Sequence, residues 1–257
     1  MSLATVINAL AIPNGAVVDQ GVPKKLLLEQ GAATAADKRQ IQDGIDEITW
    51  VAALKPTNIG VPVFRDGVRE YLEIAVLTVA LRSTAKPPRL IELIHRAIPY
   101  PLVLVTQHRD TINLSLAHKR WSQGEAGKVV IEDVRQVLLN PDTPVAEEAS
   151  FLASIALSRL PASDLFALYE GFLVRLAGLE AARITGAFTL PDSAEDAAVL
   201  RQHVDLHARL RRDVAILRTR ADKEKQLNRR VELNLEIKKL EGELSQALST
   251  LRMNPAQ

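Results

Sequence analysis

The chain has 257 residues, of which 47% are hydrophobic and 25% charged, and its formal net charge is +1. Such a composition is typical of globular proteins, and a charge so near neutral does not by itself indicate nucleic-acid binding. The absence of cysteine excludes disulfides, thiol catalysis and cysteine-based metal centres, and it suits a reducing cytosol. No apolar run approaches the ~18 residues of a membrane-spanning helix, so we expect a cytoplasmic protein without a membrane span.

Residues 1–140 mix helical and strand-like patterns, which predicts an α+β domain with a mixed sheet and flanking helices. The clearest strand is 71–81, because apolar residues on both of its faces are typical of a central strand. The predicted elements follow in this order: a helix at 3–11, an extended segment at 22–25, a helix from the Thr34 cap through Ile48, a strand at 49–55, an edge strand or loop at 61–64, the strand at 71–81, a helix at 87–98, a hairpin of 102–105 with 112–117, and a strand at 128–131.

Residues 141–190 predict a helical section with two amphipathic helices. One helix follows Pro144, and the other begins near Ser163 and Asp164. Both carry an apolar stripe at helical spacing, so we expect them to pack on the sheet or on each other.

Residues 191–257 predict a coiled coil or a helical hairpin, because only one glycine and no proline occur between Glu195 and Met253. The two stripes are separated by a polar stretch at 222–230, so either one long helix runs through it or the chain folds back there. The stripes are out of phase across that stretch, which favours the hairpin. The first stripe consists of Leu206, Leu210, Val214, Leu217 and Ala221, and the second, a heptad seam, of Leu233, Ile237, Leu240, Leu244, Ala247 and Leu251.

Seven arginines are the most pronounced charge feature of residues 191–257. Between Arg201 and Arg230 the sequence has ten Lys or Arg and four Asp or Glu. Arginines along a helical rod suit a phosphate backbone, an acidic protein partner or plain solvation, and the sequence leaves these three alternatives open. The seven are Arg209, Arg211, Arg212, Arg218, Arg220, Arg229 and Arg230.

Catalytic and metal-binding motifs are weak in this sequence. His203 and His207 lie four residues apart on a predicted helix, but no third ligand is evident, so we predict no metal site there and no resident cofactor. A divergent metal-dependent nuclease stays open as an alternative, because its carboxylates would hold magnesium or manganese and orient water. The candidate carboxylates are Asp43, Asp46, Glu70 and Glu73.

Four segments together resemble an uncharacterised bacterial family, the domain of unknown function numbered 4391. They are Val-Pro-Lys-Lys at 22–25, Ile-Thr-Trp at 48–50, Ile-His-Arg-Ala-Ile-Pro-Tyr-Pro at 94–101, and the run from Lys223 to Asn234. The similarity extends over nearly the whole chain in the same order. It implies genes for helicases and type III-like DNA methyltransferases as neighbours, in restriction or phage-defence loci, and it supplies no catalytic residues.

We therefore expect a non-enzymatic accessory subunit of a DNA-defence complex. Its coiled coil would dock a helicase or a methyltransferase and its arginines would contact DNA, because a heptad seam exposes an apolar stripe that some surface must cover. The second hypothesis is a metal-dependent nuclease, and the third is a homodimeric scaffold without a nucleic-acid role. The residues predicted to bind the partner are Leu233, Ile237, Leu240 and Leu244.

Overall fold

The computed structural model describes residues 3–125, 128–140 and 144–253. The chain divides into two compact units, Met1–Leu176 and Ala177–Gln257, so the predicted helical section at 141–190 is shared between them. Within the described ranges, no helix combines the length and the apolar character needed to cross a membrane.

Ten strands and seven helices are found in the described residues up to the unit boundary, with the seventh helix continuing past it. The strands are β1 (Val17–Gly21), β2 (Ile45–Leu54), β3 (Phe64–Arg65), β4 (Glu70–Tyr71), β5 (Ile74–Leu81), β6 (Leu102–His108), β7 (Thr111–Leu116), β8 (Lys119–Trp121), β9 (Val129–Ile131) and β10 (Arg135–Leu139). The helices are α1 (Ala4–Ala9), α2 (Lys24–Gln30), α3 (Ala35–Gly44), α4 (Pro56–Ile59), α5 (Pro87–Ala97), α6 (Ala146–Ser154) and α7 (Leu165–Thr185).

A six-stranded mixed sheet in the order β1-β2-β5-β6-β7-β10 confirms the predicted α+β fold. Only β5 and β6 are parallel, and α5 is the crossover between them; the other neighbours in this sheet are antiparallel. Parallel neighbours need such a crossover, whereas the antiparallel pair β6–β7 needs only the short turn at Arg109 and Asp110. Two small ladders, β3–β4 and β8–β9, lie outside this sheet.

Strand β5 is the central strand that its composition predicted. Its residues are buried on both faces except for a half-buried Ala80. The structure corrects its start, because Tyr71 belongs to β4 and β5 begins at Ile74.

Helix α3 ends earlier than the sequence predicted. The Thr34 side chain caps it as expected, accepting from the Asp37 amide at 3.1 Å. The helix was expected to continue through Ile48, but it ends at Gly44, and β2 begins at Ile45, which pairs with Leu81 of β5. Pairing along the whole of β5 overrides the local helical pattern in this segment.

The main core lies between the sheet and the helices α2, α3 and α5. Leu27, Ile41 and Ile94 are fully buried there from the three helices, against Leu77 and Leu104 of the sheet. Residues alternate between the faces of a strand, so Val103 and Val105 of β6 point to the other face, where they are also fully buried.

Strand β1 forms one edge of the sheet, and all five of its residues are exposed. Its pairing with β2 is interrupted, since Val17 pairs with Ala52 and the next partner of the ladder is Gln20 with Trp50. Asp19 lies between them with a φ of 47°, in the left-handed region. The edge strand therefore carries a bulge.

The second unit confirms the predicted hairpin. Helices α8 (Ala194–Lys223) and α9 (Leu227–Met253) are separated by three residues, within the polar stretch where the chain was expected to fold back. The Ser193 side chain caps α8 by accepting from the Asp196 amide at 3.0 Å.

His95 of α5 is fully buried, as is typical of a histidine with a structural role. Its Nε2 atom lies 3.0 Å from the Ser115 hydroxyl. Burial lowers the pKa of His95 to about 3, and the nearby charge of Lys119 acts in the same direction. The imidazole is therefore neutral in the folded protein down to acidic pH.

We predict that His95 makes the protein acid-sensitive. Between pH 3 and 6.5 the unfolded state binds a proton at this residue and the folded state does not, so stability present above pH 6.5 is lost as the pH falls. The loss is expected to be about 1.4 kcal/mol per pH unit, measured by urea unfolding at a series of pH values. His95→Leu should flatten this dependence and Ser115→Ala should keep it; an equal dependence in both variants contradicts the prediction.

Candidate functional site

The seam predicted to bind a partner is covered by the chain itself. Ile237 is only 8% exposed, and it packs in one cluster with Val214, Leu217 and Ala221 of α8. Leu233 and Leu240 are partly buried against the same cluster, and Leu244 is half-buried. Leu233, Ile237 and Leu240 therefore form an intramolecular contact, because the hairpin places the two stripes face to face.

The first stripe follows the prediction at Leu210, Val214, Leu217 and Ala221 but not at Leu206, which is 37% exposed. Near that end of α8, the buried residue is Val204, which clusters with Ala181 of α7 and Leu251 of α9. This part of α8 therefore packs against α7 as well as against Leu251, the last residue of the seam on α9.

All seven arginines of the predicted nucleic-acid site are exposed, and they surround the hairpin rather than forming one stripe. At 100° per residue, Arg209 and Arg220 lie on one flank of the buried face of α8, and Arg211 and Arg218 lie on the other. Arg212 points directly away from that face. The arrangement presents positive charge on several sides of the helix.

An ion pair and a cluster of carboxylates reduce the positive charge of the hairpin locally. Nη2 of Arg218 lies 2.6 Å from Oε1 of Glu241, so this arginine is engaged in an ion pair. Arg229 lies at the tip, beside a concavity of about 540 Å³ that is lined by three cations and three carboxylates. The tip is thus electrically mixed, and the unbalanced positive charge lies along α8.

The four carboxylates of the nuclease alternative do not come together. Asp46 at the start of β2 pairs with Arg82, whereas Glu73 lies at the opposite end of the β2–β5 ladder, 2.9 Å from Nζ of Lys55. That ladder separates the two ends by roughly 25 Å, since a strand rises about 3.4 Å per residue. Asp43 is exposed on α3, and Glu70 pairs with Arg65.

No group of three His, Asp or Glu able to hold a metal ion occurs in the part of the chain that the structure describes. The spacing of the nuclease candidates along the sequence gave no information on their separation across the sheet. Asp43, Asp46, Glu70 and Glu73 thus form no common site.

A buried chain of polar groups was not predicted from the sequence. His118 accepts from the Tyr71 hydroxyl through Nδ1 at 2.5 Å and donates through Nε2 to Oε1 of Glu170 at 2.8 Å. Burial raises the pKa of Tyr71 above its usual range, so the phenol stays protonated and acts as the donor. The chain joins β4, the residue before β8 and helix α7, and its members are too distant in sequence for any local pattern to reveal it.

Lys119, at the start of β8, is also buried. Its ammonium donates to the carbonyl oxygens of His95, at 2.8 Å, and Ile98, which end helix α5. Burial lowers the pKa of Lys119 to about 7. Lys119 therefore caps the carboxyl end of α5.

The described elements define a mixed α+β protein with a C-terminal helical hairpin. The chain belongs to the family described as a domain of unknown function (DUF4391), whose pattern it matches over residues 10–244. Neither a curated protein nor a solved structure matches the chain.

We predict that truncating the seam loosens the hairpin. Ile237→Ala removes buried methyl groups at a cost of about 2–5 kcal/mol, so amide hydrogen exchange in α8 and α9 should become faster, as measured by mass spectrometry. Leu235→Ala is the matched control on the same helix, because Leu235 is 64% exposed. Equal exchange in the two variants would show that the seam does not hold the helices together.

Proposed function

We propose that this protein is a non-enzymatic accessory subunit of a bacterial DNA-defence complex, of the restriction or anti-phage kind. In this proposal the α8–α9 hairpin contacts the DNA backbone with its arginines. The observation that carries the contact is that all seven arginines are exposed while the apolar seam between the helices is buried.

The charge of the hairpin supports this proposal. The segment from Arg201 to Arg230 has six more cations than anions, although the whole chain has a net charge of only +1. This excess of positive charge lies in one stretch of the sequence, which covers most of α8, the connection and the start of α9. A protein that neutralises phosphates in this way releases counterions, so its affinity falls steeply with salt and depends little on sequence.

The proposed protein partner is a helicase or a methyltransferase of the same locus, as the family resemblance implies. Since the heptad seam is covered by α8, a partner needs another surface of the hairpin. The outer face of α9 presents Leu227, Val231 and Leu235, which are 64%, 49% and 64% exposed. These residues recur every fourth position, so they lie along one side of the helix.

We predict that DNA binding depends on Arg211 and Arg212. The slope of log K against log salt is negative. Replacing both arginines by glutamine is expected to reduce its magnitude by about 1 to 2, since each phosphate contact contributes about 0.9. The measurement is fluorescence anisotropy with a labelled DNA duplex at several salt concentrations.

The control for this experiment is Lys38→Gln with Arg39→Gln, which removes two adjacent exposed cations from α3 and changes the net charge equally. The control should keep the slope of the unaltered protein. If both double variants lower the slope equally, the effect is one of net charge, and the hairpin is not the DNA-binding element.

We predict that tagged full-length protein brings down a helicase or a methyltransferase from its native host at low salt, with and without nuclease treatment. Val231→Glu and Leu235→Glu should abolish this co-purification, because they charge the apolar stripe of α9 without touching the seam. Ile216→Glu, at a 57% exposed position of α8, is the matched control. Recovery of this protein alone in both samples would refute the accessory role.

A further inference from the structure

A wide groove in the first unit combines positive charge with aromatic rings. It has a volume of about 1140 Å³ and lies between α2, the carboxyl end of α5, and β9. Lys25, Arg96 and Lys128 line it, with Glu29 as the one acidic lining residue among those described. Trp50 and Tyr100 also line it, so cations and aromatic side chains occur on the same surface.

A smaller recess adjoins the groove. The two share Pro99, Tyr100 and Val129, and the recess continues to Trp121. Tyr100 and Trp121 are each 36% exposed, which is unusual for large aromatic side chains in this protein. The chain has only two tryptophans, Trp50 and Trp121, and both of them line this continuous surface.

The carboxyl end of α5 forms part of the groove wall, and an uncapped helix end there would present partial negative charge. Lys119 reduces that charge, because its Nζ donates to the terminal carbonyl oxygens of His95 and Ile98 from the buried side. This helix end therefore repels a phosphate less than an uncapped end would.

The lining cations are held only by weak interactions. Lys25 lies 3.6 Å from Glu29, and the two side chains are 81% and 58% exposed. Lys128 pairs with Glu125 at similar exposure, and Arg96 pairs with Glu92 at 40% and 35% exposure. Exposed pairs of this kind contribute about 0–1 kcal/mol, so a phosphate readily replaces the carboxylate.

We propose that this groove binds single-stranded nucleic acid, with bases stacked on Tyr100 and Trp50 and phosphates held by Lys25, Arg96 and Lys128. Tyr100, which is 36% exposed, and the half-buried Trp50 lie beside cations, an arrangement that suits unpaired bases, whose faces are covered in a duplex. The volume exceeds the ~300–1,000 Å³ of sites for small molecules, which favours a segment of chain over a single nucleotide. This site is separate from the duplex contact proposed for the hairpin and does not rest on it.

Tryptophan fluorescence tests the proposal directly. The experiment titrates the full chain carrying Arg211→Gln and Arg212→Gln with a thymidine oligonucleotide of about 12 nucleotides, within the site sizes of single-strand binders. Stacking on Trp50 is expected to quench emission in a saturable way, and Trp121→Phe should retain the quenching. The hairpin has no tryptophan, so contact at the hairpin gives no such signal.

Three variants of Tyr100 separate stacking from simple packing, and a double lysine variant tests the role of charge. Tyr100→Ala should weaken oligonucleotide binding about tenfold, since stacking contributes about 1–3 kcal/mol per base. Tyr100→Phe keeps the ring and should bind as the unaltered protein does, while Tyr100→Leu, which keeps an apolar side chain, should bind as weakly as the alanine variant. Lys25→Gln with Lys128→Gln should reduce the magnitude of the slope of log K against log salt by about 1.4, since each contact to a single strand contributes about 0.7.

Several outcomes would overturn the proposal. One is the absence of saturable quenching, and another is equal affinity for the oligonucleotide and for its blunt duplex. A third is equal binding by Tyr100→Ala and Tyr100→Phe, which would mean that no base stacks on this ring. Failure of these tests leaves the salt dependence of the hairpin variants unaffected, so the two proposals fail or stand separately.

Discussion

The parallel pairing of β5 with β6 is the constraint on which the first unit depends. Two parallel neighbours cannot be joined by a tight turn, so the chain must cross one face of the sheet between them. Helix α5 is that crossing, and its apolar side supplies Leu90, Ile91 and Ile94 to the main core. The helix must also end where β6 begins, which leaves carbonyl groups without helical partners at the edge of the groove.

The buried ammonium of Lys119 completes that arrangement from a different part of the chain. It reaches the end of α5 from the start of β8, so a short ladder outside the main sheet becomes tied to the crossover helix. The same residue influences the electrostatics around His95, whose pKa it helps to depress. Stability, core composition and the charge of the groove are thus linked through one side chain.

Local patterns in the sequence predicted the elements that are determined by residues close together in the sequence. The apolar central strand, the helix predicted at 87–98 and the cap at Thr34 all appear in the structure as expected. The hairpin was also predicted, because two apolar stripes interrupted by a polar stretch indicate two packed helices. These features depend on residues close together in the sequence.

Features that depend on distant pairing were not predicted. Strands β1 and β10 lack the alternating pattern of a half-buried strand, and they are strands because β2 and β7 offer free edges to pair with. The start of β2 at Ile45 depends on Leu81, and the polar chain through His118 depends on residues 47 and 52 positions away. The nuclease candidates were misleading for the same reason, since their separation is set by sheet register.

The seam of the hairpin illustrates how a correct pattern can carry two meanings. A heptad spacing requires an apolar cover, and the sequence does not say whether the cover is another chain or the preceding helix. Here Val214, Leu217 and Ala221 provide it, so the arginines and not the seam residues are exposed to other molecules.

The bulge in β1 affects how the sheet meets other chains. An edge strand with a regular row of free amides and carbonyls is a template for a foreign strand, and such templating leads to aggregation. Asp19, in the left-handed conformation, breaks that row within a strand that is otherwise fully exposed and begins with two valines. The irregularity thus makes this border a poorer template for a foreign strand than a regular edge would be.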